Sequence, residues 1–244
     1  MQTDDAWEKW GKQDPYFGVF SQPKFRRNSI EEHRSDFFES GEQQVTQRLS
    51  IVRRLYGPIA SEVAIDFGCG VGRLSIPLSR HYQRVIGVDI SSGMIAEAKN
   101  NCQSFNVKNI DFVRLVTEIP ENSADFINSD IVFQHIPVKR GLEIMAASLT
   151  RLRNGGVAAL QVTTQRKLPL GKEIIYKIKH SIPGARVAFN IIQGKSLNEP
   201  LMQMNNYPID DVVNIFIDSK MTDVSFLPAF GTSLGFIVMG KRQI

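Results

Sequence analysis

The stretch Val63-Ala64-Ile65-Asp66-Phe67-Gly68-Cys69-Gly70-Val71-Gly72 decides the fold. An apolar run suited to a buried strand ends in an acid, and three glycines follow at alternate positions. Glycine permits a tight strand-to-helix turn and lets a ligand approach the backbone closely. The helix after such a turn aims unpaired N–H groups at that ligand. A second apolar run, Arg84-Val85-Ile86-Gly87-Val88-Asp89, ends in another acid seventeen residues beyond Gly72. An acid at the tip of the second strand stands where ribose hydroxyls are held. Together the two runs point to a site for a nucleoside-containing cofactor.

The third glycine narrows the choice. Dinucleotide loops follow G-x-G-x-x-G. Here the third glycine comes one residue early, at Gly72, and Arg73 stands where that pattern needs it. Asp-x-Gly-x-Gly-x-Gly resembles the nucleotide-binding loop of class I methyltransferases dependent on S-adenosylmethionine. The resemblance continues through Asp89-Ile90-Ser91-Ser92-Gly93-Met94 and Ser129-Asp130-Ile131-Val132-Phe133-Gln134-His135-Ile136. It ends with Leu152-Arg153-Asn154-Gly155-Gly156 and the apolar run behind it, covering roughly Ser61 to Thr164. The phrases Asp14-Pro15-Tyr16-Phe17, Phe37-Phe38-Glu39-Ser40-Gly41-Glu42 and Met202-Gln203-Met204-Asn205 are similar to a bacterial subgroup associated with glycan or natural-product pathways.

The totals set bounds around this reading. A chain of 244 residues, 42% hydrophobic and 22% charged, suits one globular α/β domain with extensions. No apolar run reaches membrane-spanning length, and the acidic start Met1-Gln2-Thr3-Asp4-Asp5 is no secretory signal. Cys69 and Cys102 make neither a disulfide framework nor a metal site, so a cytoplasmic, reducing compartment is expected and no metal. Cys69 reads as a small residue packed in the loop. Net charge is +4, but seven basic residues and one acid between Arg166 and Lys195 concentrate the basicity there and leave the body slightly acidic. A nucleic-acid enzyme spreads its basic surface wider, so no specific nucleic-acid partner is expected.

Residues 1–57 form an aromatic, partly helical extension with Trp7, Trp10, Tyr16, Phe17, Phe37 and Phe38. Asp14-Pro15-Tyr16-Phe17-Gly18 reads as a turn, and Val45, Leu49, Val52 and Leu55 follow helical spacing up to Gly57-Pro58. Residues 58–244 make the second unit. Strands are expected at Glu62–Phe67, Arg84–Asp89, Asn109–Leu115, Asp125–Ile131 and Gly156–Thr163. Helices are expected at Gly72–His81, Ser92–Phe105 and Val138–Arg153, with Ser91 or Ser92 as an N-cap. This alternation predicts a Rossmann-like, doubly wound α/β sheet. A basic insertion over about 165–207 reads as holding an amphipathic helix, Gly171–Ile182, and a last helix and a hairpin, Thr222–Leu227 with Leu234–Met239, are expected to close the chain antiparallel.

The resemblance implies roles. Asp66, Gly68, Gly70 and Gly72 line the methionine and ribose side of S-adenosylmethionine, with Asp66 orienting the loop or meeting the ammonium group. Asp89 accepts from both ribose hydroxyls, and Ile90 and Met94 pack near the adenine. Many relatives place an acid just after the third strand. Here Arg114-Leu115-Val116-Thr117-Glu118 has none at that place, so backbone near Val116 or the side chain of Glu118 stands in. His135, after the fourth strand, is the candidate base for an acceptor hydroxyl or a structural residue holding its loop. Lys172, Lys179 and Arg186 are candidates for holding an anionic or lipid-linked acceptor, with a solvated lysine face as the plain alternative. Tyr16 and Phe17 are candidate contacts over the cofactor.

The expected activity is O-methylation of a small molecule or a glycan or natural-product acceptor. An RNA- or protein-directed methyltransferase is the second reading, a nicotinamide-dependent oxidoreductase the third, and a non-catalytic cofactor-binding protein the fourth. The fourth strand lacks the Asn/Asp-Pro-Pro-aromatic motif of adenine amino-methylation, reading Asn128-Ser129-Asp130-Ile131 instead. Nothing in the sequence sets the oligomeric state.

Overall fold

In the computed structural model the described residues are 3–166, 200, 202–229 and 233–243. The chain opens with helices α1 (Thr3–Gln13), α2 (Pro15–Val19) and α3 (Ile30–Tyr56). Then come β1 (Val63–Phe67), α4 (Ser75–Leu78), β2 (Arg84–Val88), α5 (Ser92–Ser104), β3 (Ile110–Val113), β4 (Ala124–Ser129), α6 (Val138–Leu149) and β5 (Leu152–Arg166). Helix α7 (Ile209–Asp218) and strands β6 (Met221–Ala229) and β7 (Ser233–Arg242) close it. Seven strands form one sheet in the order β3-β2-β1-β4-β5-β7-β6. The first five run parallel, and β7 pairs antiparallel with both β5 and β6. The fold is the expected α/β, Rossmann-like sheet with an antiparallel C-terminal end. Among the described residues no helix is long and apolar enough to cross a membrane.

Three local expectations need correction. Asp14-Pro15-Tyr16-Phe17-Gly18 is not a free turn. Pro15 opens α2, where its fixed φ suits the first helical position and its missing N–H costs nothing. The helix expected over Gly72–His81 shrinks to α4, because hydrogen-bonded turns occupy the residues on either side. The helix expected over Val138–Arg153 stops at Leu149, and Leu152 already belongs to β5. The expected helix Gly171–Ile182 lies outside the described residues. Ser91 is the N-cap of α5, its Oγ accepting the Met94 N–H at 3.2 Å.

The sheet buries apolar side chains on both faces. Ile65, Ile127, Leu160 and Val238 pack against α6, α7 and Tyr207 on one side. Ala64, Val85, Phe126, Val157 and Met239 pack against Val45, Val52 and Tyr56 of α3 on the other. A third cluster joins Trp10, Tyr16, Phe25 and Phe37 of the N-terminal segment to Met94 and Cys102 of α5. The segment before β1 therefore supplies one covering layer of the sheet.

Helix α3 crosses the chain behind the glycine loop at Gly41, where an added Cβ falls only 2.2 Å from the backbone oxygen of Arg73. Gly41→Ala must push the helix off that backbone. We expect a loss of roughly 1–3 kcal/mol, typical of overpacking a dense core, read as a lower urea midpoint. An unchanged midpoint would show that the crossing yields freely.

Candidate functional site

The carboxyl ends of β1, β2 and β4 meet where the strand order reverses, the usual place for a ligand in an open α/β sheet. A cavity of about 900 Å³ opens there, within the range of small-molecule sites. Of the residues singled out in the sequence, Gly68, Gly70, Asp89, Ile90, Met94, Val116 and His135 line this one cavity. Asp66 and Gly72 are not among its lining residues. Lys172, Lys179 and Arg186 lie outside the described residues.

Local sterics build the loop. Gly68 and Gly70 sit at φ 75° and 52°, a region that side chains rarely adopt. A Cβ on Gly68 would fall 2.2 Å from Val132 Cγ2, and one on Gly70 would fall 2.3 Å from Val19 Cγ2. The glycines thus admit close packing by this chain's own valines as well as by a ligand. The amides of Gly68 and Cys69 both donate to the Val88 carbonyl, at 2.7 and 3.0 Å, which ties the loop to the tip of β2. Cys69 is buried there, and burial pushes its thiol well above its usual range.

Asp89 accepts the Gly70 N–H at 2.9 Å and the Ser91 N–H at 2.9 Å. Burial pushes its carboxyl up to about 6, against the downward pull of those two bonds. A carboxylate has about four acceptor positions, so two backbone donors leave capacity for further donors from the cavity. Asp66 turns away from the cavity lining, toward α4 and β4. It is 1% exposed, accepts Ser75 Oγ at 2.6 Å, and takes Asn128 Nδ2 at 3.4 Å. Burial pushes it up to about 6. Glu118 is not among the cavity's lining residues. Its Oε1 takes the backbone N–H groups of Arg114 and Leu115 at 3.0 and 2.7 Å. Arg114 turns back to the Ile90 carbonyl, donating from two nitrogens at 3.2 and 2.9 Å.

The N-terminal segment roofs the cavity, but not through Tyr16 and Phe17. Tyr16 packs on Phe37 and donates to Glu97 at 2.6 Å, because its hydroxyl needs a buried partner. The roof is Thr3, Asp4 and Trp7 of α1 together with Val19 and Phe20. Helix α1 is held on three sides. Glu8 accepts the Ser92 N–H and hydroxyl at 2.8 and 2.7 Å. Asp4 takes both terminal nitrogens of Arg140 at 2.7 and 3.1 Å, and Trp7 stands edge-on to His135 with ring centroids 5.0 Å apart. The sequence missed this helix because its buried positions, Ala6 and Trp10 among them, sit in an otherwise polar run.

Two further features escaped sequence reading. Arg48 of α3 reaches Asn128 Oδ1 at 3.1 Å and Asp130 Oδ1 at 3.0 Å, and Asp130 lines the cavity. Ile131, also in the lining, holds φ at 59°. A β-branched residue in the left-handed region stores strain of about 1–3 kcal/mol, as binding sites often do. A buried arginine among other surface-type residues of a helix gives no local signal, and isoleucine is the last residue that pattern would place in a left-handed turn.

Residues 64–156 match a family profile described as a methyltransferase domain. The chain is 26% identical over 140 residues to a 23S rRNA (uracil(1939)-C(5))-methyltransferase of Marinomonas sp., covering 51% of this chain and 32% of the relative. It is 25% identical over 126 residues to a carboxy-S-adenosyl-L-methionine synthase of Alteromonas mediterranea, covering 49% of this chain and 52% of that one. The chain thus spans about a third or less of the ribosomal-RNA methyltransferases it matches. The crystal structure of magnesium protoporphyrin IX methyltransferase from Synechocystis PCC 6803 with bound SAH aligns at TM-score 0.66 and 16% identity. It covers 99% of this chain and 100% of that one. With the glycine loop, the two strand-tip acids and the sheet order in place, residues 64–156 of this chain are similar to a methyltransferase domain, and the described fold is the one that domain takes in the aligned crystal structure.

Proposed function

We propose that this chain transfers the methyl group of S-adenosylmethionine to an oxygen of a small-molecule or glycan acceptor. The observation that carries the cofactor half is Asp89, tied to the glycine loop, lining the cavity and holding unused acceptor capacity. On this reading Asp89 takes the ribose hydroxyls, and Ile90, Met94 and Val116 hold the adenine. Gly68 and Gly70 let the methionine end approach the backbone. The cofactor, when bound, supplies an activated methyl group on a sulfonium. The protein's share is to align the acceptor and exclude water. The roof of α1 supports a small acceptor, since Trp7, Met202 and Met204 enclose the space that a folded RNA would need open.

The similarity to ribosomal-RNA methyltransferases favours a second reading, an RNA acceptor. The cavity wall speaks against it. Its charged side chains include the acids Asp4, Asp89, Asp130 and Glu143 beside the cations Arg114 and Arg140, whereas an RNA-binding groove is basic. Both cysteines are buried, and neither lines the cavity.

Calorimetric titration with S-adenosylmethionine, S-adenosylhomocysteine and NAD tests the reading. Saturable binding of the two adenosyl ligands alone is expected. Preference for NAD, or no adenosyl binding, would overturn it. RNA binding that weakens steeply with salt would move the acceptor to the second reading.

A further inference from the structure

We propose that His135 is a positioning residue that clasps the acceptor-side wall of the cavity, and that it is not the proton acceptor of the reaction. The hydrogen-bond chain through the ring allows one consistent assignment. His135 Nδ1 lies 2.6 Å from the Gln203 carbonyl oxygen, which only accepts, so Nδ1 carries the proton. Nε2 of the neutral ring is then an acceptor, and it faces Gln134 Nε2 at 3.2 Å. The Gln134 amide is turned the same way from its other end, because its Oε1 accepts the Thr163 hydroxyl at 2.7 Å. Both ring nitrogens are therefore occupied by protein. The lone pair that a general base needs points at an amide N–H and not into the cavity.

What the ring joins gives the role. Gln203 lies between Met202 and Met204, which line the cavity, and its side-chain Oε1 accepts the Thr3 hydroxyl of α1 at 3.2 Å. The same stretch is stitched down on either side. Asn205 donates N–H and Nδ2–H to the Gln134 carbonyl at 2.6 and 3.1 Å, and the Tyr207 N–H reaches the Thr163 carbonyl at 2.7 Å. Trp7 of the roof packs on the ring edge. His135 is thus where three segments meet: the roof helix, the loop after β4 and the 202–205 stretch. None of the groups these contacts set against the ring is charged. Burial pushes the ring down to about 4, which keeps it neutral at physiological pH and fits a hydrogen-bonding role. The assignment rests on the methyltransferase reading only in naming the clasped wall as the acceptor's.

Two measurements decide it, and neither needs the acceptor. The first is the ¹⁵N spectrum of the histidine rings in the full chain. The expected signature is an Nδ1–H tautomer for His135 that does not titrate across the neutral range. An Nε2–H tautomer, or a titration midpoint near the ordinary histidine value of about 6.5, would overturn the proposal. The second is amide hydrogen exchange at Asn205 and Tyr207. His135→Ala is expected to speed exchange there at least tenfold. His135→Asn, whose amide donates from nearly the same place but is no base, is expected to restore most of the protection. Equal exchange in His135→Asn and His135→Ala, or no change in either, would also overturn it. Failure to bind S-adenosylhomocysteine would sink the cofactor reading while leaving the tautomer result standing.

Discussion

Asp89→Ala is expected to weaken binding of S-adenosylhomocysteine by at least tenfold, about 1.4 kcal/mol. Hydrogen bonds to a charged partner contribute roughly 1.5–3 kcal/mol each, and this carboxylate has room for both ribose hydroxyls. The side chain also holds the Gly70 and Ser91 amides, so alanine frees the loop as well as removing the ribose contact. Asp89→Asn separates the two losses, since an amide oxygen keeps the shape and one acceptor. The pH dependence has a definite sign. Ribose hydroxyls donate, so they favour the ionised carboxylate. Burial has pushed Asp89 up to about 6, so protonation competes with the ligand as pH falls through that value. Affinity should be flat above about pH 7 and decline below about pH 6, and the decline should shrink in Asp89→Asn. Asp66, also pushed up to about 6, titrates in the same window but lies outside the cavity lining. A decline that persists undiminished in Asp89→Asn would assign it to Asp66. Calorimetry across this range reads all of it, and unchanged affinity in Asp89→Ala would remove Asp89 from the site.

The sequence made some of this legible and hid the rest for identifiable reasons. Gly68 and Gly70 announced themselves because backbone at positive φ excludes most other residues, so geometry leaves a mark on composition. Strands β1, β2 and β4 were legible because, buried on both faces, they read as apolar runs. Asp66 and Asp89 looked alike as strand-tip acids, yet one turns inward to Ser75 and the other lines the cavity. That difference depends on Asn128, sixty-two residues beyond Asp66, which no local pattern reports. The roof residues were hidden for the same reason. Trp7 and Val19 acquire their roles from His135 and Gly70, which only the folded chain brings to them.

Arg48→Ala is expected to cost about 3–5 kcal/mol of stability, the range for removing one partner of a buried ion pair. The guanidinium and the Asp130 carboxylate have side-chain exposures of 7% and 3%, so water screens neither. Alanine leaves the Asp130 charge buried beside an Asn128 oxygen that has lost its donor. For a chain of this size each kcal/mol moves the melting temperature by roughly 2–4 °C, so the midpoint should drop by about 10 °C. The pair itself need not be net stabilising, because two desolvated charges cost nearly what their attraction returns. A double variant, Arg48→Met with Asp130→Leu, removes both charges together and is expected to recover most of the lost stability. The recovered fold should still bind S-adenosylhomocysteine more weakly, because Asp130 lines the cavity beside Ile131 and Val132. If Arg48→Ala melts within about 2 °C of the parent chain, then α3 is only leaning on the site. If the predicted loss appears and the double variant recovers it, the helix before β1 is part of the machinery that shapes the cavity wall. Residues 64–156 alone would then lack a partner for Asp130.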